Sequence, residues 1–426
     1  MSDTIYAVSS GQPPAAIAVI RISGRQAIVA AAALCGDLPA PRRAGVRVLR
    51  RADGAPLDEA LVLLFPGPRT ATGEDLVELQ VHGGRAVIAA VLSALGEQPG
   101  LRQANAGEFT RRALLNGRLD LTQAEGLGDL LMAETEAQRR AAQQASEGGV
   151  RRQVEAWGER LLALSGQVEA LIDHSDEGDV DAHALQPVRE AIRALASELG
   201  QAAAQPPVEG LRDGVRVVLA GPPNAGKSSL LNALIGREAA IVSAQPGTTR
   251  DRIEAGVVRA GTAWLLTDTA GLRAETADPI EAQGVVLADA AMRAADLVIW
   301  LGDDPPPVKA LWVHARADMP ERTITPVGPD LAVSARNGTG LEALWGELEG
   351  RAHALTPALD RPAFNQRQRD LLHSAVDAIA RAGDTSDILI VAEELRVGRL
   401  AFDRITGRAD VEAVLDALFG QFCIGK

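Results

Sequence analysis

The stretch Gly221-Pro222-Pro223-Asn224-Ala225-Gly226-Lys227-Ser228 decides how the rest of this 426-residue chain is read. It has the spacing glycine, four residues, Gly-Lys-Ser, and it follows Val215-Arg216-Val217-Val218-Leu219-Ala220, a short apolar run expected to form a buried strand. Ser229 to Ile235 then predicts a helix. Strand, glycine loop and helix in that order mark a phosphate-binding loop. The residue types follow from the chemistry: bare backbone N–H groups wrap phosphate oxygens, a lysine reaches the terminal phosphates, and a hydroxyl binds Mg²⁺. Lys227 and Ser228 fill the last two roles, with Asn224, Ala225, Gly226 and Ser229 in the cradle.

Three elements downstream extend the pattern. In Pro246-Gly247-Thr248-Thr249-Arg250-Asp251, Thr249 is placed to coordinate Mg²⁺ and sense a terminal phosphate. Leu265-Leu266-Thr267-Asp268-Thr269-Ala270-Gly271 reads as a strand ending in Asp-x-x-Gly, where Asp268 would hold Mg²⁺ through water and the Gly271 N–H would meet the γ-phosphate. Ser334-Ala335-Arg336 has the form of a guanine-contacting loop. Four elements in this order predict an α/β P-loop GTPase domain of the Ras-like kind.

Two positions depart from the usual pattern. The base-reading Asn-Lys-x-Asp appears as Ala315-Arg316-Ala317-Asp318, after a short strand at Ala310 to His314. Asp318 can still accept both guanine N–H groups, so a preference for GTP is expected to persist with weakened affinity, each lost hydrogen bond being worth about 0.5–1.5 kcal/mol. Leu272 stands where a water-orienting glutamine often follows Asp-x-x-Gly, and an apolar side chain cannot orient a nucleophile. Glu281 is the best acid in reach, with Asp278 and Glu275 nearby.

The chain is too long for one core and predicts two to four domains. A net charge of −13 speaks against a chain-wide nucleic-acid coat, so any RNA contact must be local or supplied by a partner. Two cysteines, Cys35 and Cys423, the lack of a basic leader, and an apolar run from Ala15 that ends at Arg21 suggest a reducing cytoplasm and no membrane insertion.

Around the nucleotide domain the texture changes twice. Residues 1–118 carry short β-rich runs, Ile17 to Ile22 and Leu61 to Phe65, between helix-like stretches at Gln26 to Leu34 and Ala86 to Leu95, an α+β domain. His82, before Gly83-Gly84, reads as structural rather than catalytic. From 119 to 210 the pattern is helical. Thr122-Gln123-Ala124-Glu125 has the form of a capping box, and Val150, Val154, Trp157, Leu161, Leu164, Val168 and Leu171 form one packed helix face. Asp173 to Asp179 resembles a calcium loop, but Ala184 stands where a bidentate glutamate is required, so a solvated turn between helices is expected. Pro206-Pro207 and Gly210 lead into the nucleotide domain at 211–356, and Pro357 to Pro362 lead out. Helical patterns at Asn365 to Ala382, Asp387 to Val397 and Asp410 to Phe419 fill 357–426. The economical architecture is one helical-bundle domain, built from both flanks, with the GTPase domain inserted into it.

With these residues in view, the chain resembles the tRNA-modification GTPase family MnmE, also called TrmE. The resemblance runs nearly end to end: Arg21-Ile22-Ser23-Gly24, Phe65-Pro66-Gly67-Pro68, Thr72-Gly73-Glu74-Asp75, Pro246 to Asp251, and the closing Phe422-Cys423-Ile424-Gly425-Lys426. It implies that the first domain dimerises and binds a 5-formyl-tetrahydrofolate or related folate at Arg21, Glu78, Arg118 and Lys426, with Cys423 a candidate for catalysis or a small buried residue. Arg118 stands where a lysine is often seen, which keeps the charge but not the geometry. It implies K⁺ in place of an arginine finger, held by the side chains of Asn224 and Thr248 and carbonyls of Ser243 and Gln245, in the segment that continues through Ala244, Pro246 and Gly247. Glu281 becomes the water-orienting residue. The implied partners are tRNA and the FAD-containing MnmG (GidA) protein, the product a C5-aminomethyl-type group on a wobble uridine. Rival readings are a ribosome-assembly GTPase, which predicts a basic RNA module or second phosphate loop absent from this sequence, and a regulator that binds nucleotide without hydrolysing it.

Overall fold

Alternation along the first strands dictates one buried face. In β2 (Ile17–Ser23) Ala18, Ile20 and Ile22 are buried while Val19 and Arg21 are only half-buried, the period-2 signature of a strand with a core on one side. The computed structural model describes residues 3–175, 182–236, 254–269, 289–324, 327–358, 361–409, 412–420 and 422–426. It divides into two units, Met1–Gly128 with Phe402–Lys426, and Asp129–Ala401.

In the first unit, β1 (Thr4–Val8), β2, β3 (Gly45–Arg50), β4 (Pro56–Phe65), β5 (Leu76–His82) and β6 (Leu101–Gln103) form one sheet in the order β3-β4-β5-β2-β1-β6. All neighbours pair antiparallel except β1 with β6. Helices α1 (Ala27–Cys35) and α2 (Arg85–Gly96) contribute Ala31, Leu34, Val91 and Leu95 to the core that covers one face. On the other face α3 (Glu108–Leu115) places Phe109 against Ile5 and Ala7. Helix α4 (Leu121–Met132) begins in this unit, where Leu121 packs with Leu415, Phe419 and Phe422.

The start of α4 corrects the sequence expectation. The reciprocal cap is not Thr122 with Glu125 but Asp120 with Gln123: Asp120 Oδ1 accepts the Gln123 N–H at 2.8 Å, and Gln123 Oε1 accepts the Asp120 N–H at 3.1 Å. Thr122 spends its hydroxyl on Asp120 Oδ1 instead. Burial of Leu121 fixes where the helix starts, and the cap falls on the residue just before it.

In the second unit come α5 (Glu136–Ser146), α6 (Gly149–Ser175), α7 (Ala182–Ala203), α8 (Glu209–Arg212), β7 (Val215–Ala220), α9 (Lys227–Gly236), β8 (Glu254–Arg259), β9 (Thr262–Asp268), β10 (Leu297–Trp300), β11 (Leu311–Ala315), β12 (Leu331–Val333), α10 (Leu341–Ala352), α11 (Gln366–Asp384) and α12 (Ile388–Thr406). The predicted stripe on α6 is buried from Val150 through Val168, with Leu171 half-buried. Helix α6 also runs through Asp173 to Ser175, so the start of the expected acidic turn is helical; 176–181 lie outside the described residues. Helix α7 packs along α11, bringing together helices from before and after the nucleotide sheet. The last helix, α13 (Glu412–Gly420), belongs to the first unit.

The second sheet has the order β12-β11-β10-β7-β9-β8, parallel throughout except for the edge strand β8. Central strand β7 buries Val215, Val217, Val218, Leu219 and Ala220, as a parallel strand covered on both faces must. Among the described residues no helix is long and apolar enough to cross a membrane.

Candidate functional site

The nucleotide loop sits where a parallel strand hands over to a helix, at the carboxyl end of β7. Between Ala220 and Lys227 the backbone needs conformations that side chains resist: Gly221 has φ +146°, Gly226 has φ +100°, and Asn224 sits left-handed at +59°. Asparagine tolerates that region better than most residues. Gly226 is also a place of close approach, since a Cβ there would lie 3.4 Å from Arg316 Nε.

Lys227 opens α9 and is buried, its ammonium donating to the carbonyls of Gly221 at 3.0 Å and Pro222 at 2.8 Å. The charge is thereby held across the loop's own mouth. Ser228 Oγ hydrogen-bonds Asp268 Oδ2, and Asp268 is fully buried at the end of β9. Thr269 Oγ1 donates to the Leu219 carbonyl at 2.9 Å, fastening the end of β9 to β7. A hydroxyl and a carboxylate side by side at the loop are hard oxygen donors of the kind Mg²⁺ takes, so the residues present fit that ion.

Beside the loop lies a cavity lined by Gly226, Ser229, Leu230, Ala315, Arg316, Asp318, Met319, Val333, Ala335 and Arg336. Its polar floor is Asp318, whose Oδ1 accepts from Ser334 Oγ at 2.5 Å; Ser334 is fully buried. Ala315 is buried in the wall, and Arg316, left-handed at φ +60°, lies against Gly226. A slot lined by apolar groups, two arginines and one carboxylate suits a flat base carrying paired N–H donors. The sequence pointed to Asp318, Ser334, Ala335 and Arg336; Leu230, Met319 and Val333 have no local signal and are found only through the fold.

Of the other expected nucleotide-site residues, Ser243, Ala244, Gln245, Pro246, Gly247, Thr248, Thr249, Ala270, Gly271 and Glu281 lie outside the described residues.

A second candidate site is built on the first sheet. Arg21 on β2 and Glu78 on β5 are register partners, and Arg21 Nε and Nη2 donate to Glu78 Oε1 at 3.1 and 2.8 Å. The Arg21 guanidinium stands 5.8 Å from the centre of the Phe109 ring, and the Phe109 N–H donates to the Lys426 carbonyl at 3.1 Å. Thus Arg21, Glu78 and Lys426 converge through Phe109, a residue the sequence did not single out. Lys426 reaches this place because Gly425, at φ +97°, passes so close to β1 that a Cβ would lie 1.9 Å from the Val8 carbonyl oxygen. Ser9 Oγ donates to the Gly425 carbonyl at 2.7 Å, and Ile424 bridges to Ala106. Cys423 is exposed, its carbonyl accepting the Gly107 N–H at 3.5 Å.

Arg118 is tied to the neighbouring loop, its Nε donating to the Thr70 carbonyl at 3.2 Å. That loop is locked from below by Arg112, a guanidinium 1% exposed that bonds Glu74, Asp3 and Glu108. Ser23 Oγ donates to Glu74 Oε2 at 2.9 Å and shares a hydrogen bond with Thr72. Burial alone would raise the Glu108 pKa, but hydrogen bonds from Arg102, the Asn105 N–H and Arg112 win and hold it below the ordinary carboxylate range. His82 makes a clasp instead of a catalytic contact, its Nδ1 2.8 Å from Asp58 Oδ1. Glu78 is a half-buried carboxylate held by Arg21, and its second oxygen accepts no bond among the described residues, which fits the donor-rich edge of a folate.

The parallel sheet, the loop with its buried lysine and the slot beside it define the class: a P-loop GTPase fold carrying additional domains. Residues 4–118 match the model of the GTP-binding protein TrmE N-terminus, and residues 121–423 match that of the MnmE helical domain. The tRNA modification GTPase MnmE of Erythrobacter litoralis is 53% identical over 425 residues, covering 100% of both chains. That of Rhizorhabdus wittichii is 54% identical over 430 residues, covering 100% of this chain and 97% of the other. The chain belongs to the MnmE family of tRNA modification GTPases.

Proposed function

We propose that this protein hydrolyses GTP with Mg²⁺ and K⁺ and, as a homodimer in the cytoplasm with an FAD-dependent MnmG partner, modifies C5 of the wobble uridine of certain tRNAs with a folate one-carbon unit. The observation that carries the reading is the trio at the loop: a buried Lys227 over the loop carbonyls, with Ser228 bonded to the buried Asp268. Lys227 is placed to exchange its carbonyl partners for terminal phosphate oxygens, and Ser228 with Thr249 would hold Mg²⁺. Bound cations supply charge that offsets what develops on the phosphates during transfer. Asn224, Ser243, Gln245 and Thr248 would hold K⁺, and Glu281 would orient the attacking water. The Asp318 carboxylate selects guanine by accepting its N–H donors, while Ala315 contributes no hydrogen bond to the base.

In the first domain Glu78, steadied by Arg21, would accept from the donor-rich edge of the folate, which supplies the carbon. Arg118 and Lys426 would hold its acidic tail, and Cys423 lies open for a covalent or proton-transfer role. The proposed domain division is 1–118, 119–210 with 357–426, and 211–356 inserted between.

GTP turnover in K⁺ against Na⁺ tests the first half, with faster release of phosphate in K⁺ expected. Equal rates would remove the cation role, and no turnover in either salt would leave a nucleotide-binding regulator. Mass spectrometry of wobble nucleosides from cells lacking the protein tests the second half; unchanged uridine modification would remove the tRNA role.

A further inference from the structure

Charge is divided unevenly along this acidic chain. Residues 1–118 hold 13 arginines and 10 carboxylates, a net +3, while the remaining 30 basic and 46 acidic residues give −16. Within the positive domain six arginines, Arg42, Arg43, Arg47, Arg50, Arg51 and Arg69, gather along the edge strand β3 and the loops beyond its two ends.

What distinguishes them is that they cluster with few carboxylate partners. Many arginines elsewhere pair with carboxylates, as Arg102, Arg112, Arg139, Arg212, Arg322 and Arg381 do, and those on carbonyls, such as Arg118, Arg189 and Arg369, are scattered. Along this edge the guanidinium groups are anchored on backbone carbonyls: Arg42 on Arg69, Arg47 on Asp37 at 2.5 Å, and Arg50 on Gly54 at 3.0 Å. Arg42 is further fixed 5.7 Å from the centre of the Phe65 ring. Among the described residues the one ion pair of the group is Arg51 with Glu97, at 3.9 Å. A carbonyl anchor orients a guanidinium without neutralising it, so the full charge and the remaining N–H donors stay available. Guarding an open sheet edge would account for Arg47 and Arg50 inside β3, but not for Arg42, Arg43, Arg51 and Arg69, which lie beyond its ends.

The register ties this edge to the second candidate site. Arg21 pairs with Glu78, Glu78 with Leu63, and the neighbouring Val62 with Gly45, so the same row of the sheet ends at Ala44, next to Arg43. Three strand spacings separate that edge from Arg21, about 14 Å at ~4.8 Å each.

We propose that this arginine-lined edge is a phosphate-contacting surface for the tRNA backbone, which sets the RNA along the sheet row that leads to the Arg21–Glu78 site. The inference rests on the tRNA role proposed above. Backbone contacts position an RNA without reading its sequence, and each releases condensed counterions.

The test is a full-length variant combining Arg42→Gln, Arg43→Gln, Arg50→Gln and Arg51→Gln, titrated with an unmodified tRNA transcript bearing uridine at the wobble position, over a salt series. The expected result is a slope of log K against log salt shallower by about three, and binding weaker by about 10- to 100-fold at 0.15 M salt. GTP turnover and circular dichroism should match the parent. Unchanged affinity and slope, or a parent protein with no measurable tRNA affinity, would overturn the proposal. So would loss of dimer mass in light scattering with tRNA affinity intact, which would assign the edge to a second copy of this chain. These outcomes are separable from failure of the tRNA role itself, which the nucleoside measurement reads in cells.

Discussion

The two candidate sites of this protein are built on opposite principles. The nucleotide loop takes its shape from eight consecutive residues, and its chemistry is mostly main chain: N–H groups, two glycines and a left-handed asparagine, completed by Lys227 and Ser228. The first-domain site draws single residues from distant places, Arg21, Glu78, Phe109, Arg118 and Lys426, joined by a sheet register and hydrogen bonds. A main-chain site leaves a contiguous signature. A side-chain site leaves none, because its residues are neighbours only after folding.

Substitutions should break the two in different ways. The largest effect is expected from Arg112→Met, which strands Glu74, Asp3 and Glu108 around a vanished cation. Breaking a buried pair in this way costs about 3–5 kcal/mol. Amide exchange across 102–118 in the full chain should lose protection, and folate affinity should fall with it while GTP turnover holds. Retained protection would show that the network does not support the site.

Next comes Lys227→Ala, expected to lower GTP turnover by about 10²- to 10³-fold, the usual cost of removing one group that stabilises transferring charge. Unfolding should be changed less than by Arg112→Met, because two hydrogen bonds of Lys227 are to its own loop. A comparable loss of first-domain folate binding would contradict the separation of the two sites.

A smaller gain is expected from Ala315→Asn. Each hydrogen bond restored at the base is worth about 0.5–1.5 kcal/mol, so GTP binding measured by calorimetry should tighten about two- to tenfold. No change would mean that Ala315 does not face the base.

Acid should weaken the first domain. Asp3, through its hydrogen bond with Arg102, and Glu108 are both held below their ordinary values of 3.8 and 4.5. Carboxylates depressed by folding stabilise the fold above those values and lose that contribution as pH falls through the lower, folded ones. Denaturation of the wild type should therefore become easier below about pH 4.5, and Glu108→Gln should flatten that acid limb while lowering stability at neutral pH.

The mildest probe is alkylation. Cys423 is exposed, whereas Cys35 is buried, its thiol pushed up by burial and hydrogen-bonded to the Ala31 carbonyl at 2.7 Å. Peptide mapping after brief iodoacetamide treatment should find the label on Cys423 first. Equal labelling would show that the first-domain core opens easily.

Periodicity and the phosphate-loop pattern were enough to place β2, β7, the long stripe of α6 and the loop lysine, since each depends on neighbours within a turn or a strand. Where the chemistry also uses the residues' own backbone, the site itself was legible. Sequence alone misplaced the cap of α4, because burial of Leu121 against Leu415, Phe419 and Phe422 sets its first turn, and those partners lie about three hundred residues away. Only tertiary structure could reveal Phe109 as the link between Arg21 and Lys426, Met319 in the base slot, and carbonyl anchors that leave the β3 arginines charged. Local spacing fixes which groups a segment offers; register and burial fix which of them meet, because those depend on the free energy of the whole fold rather than on any one stretch.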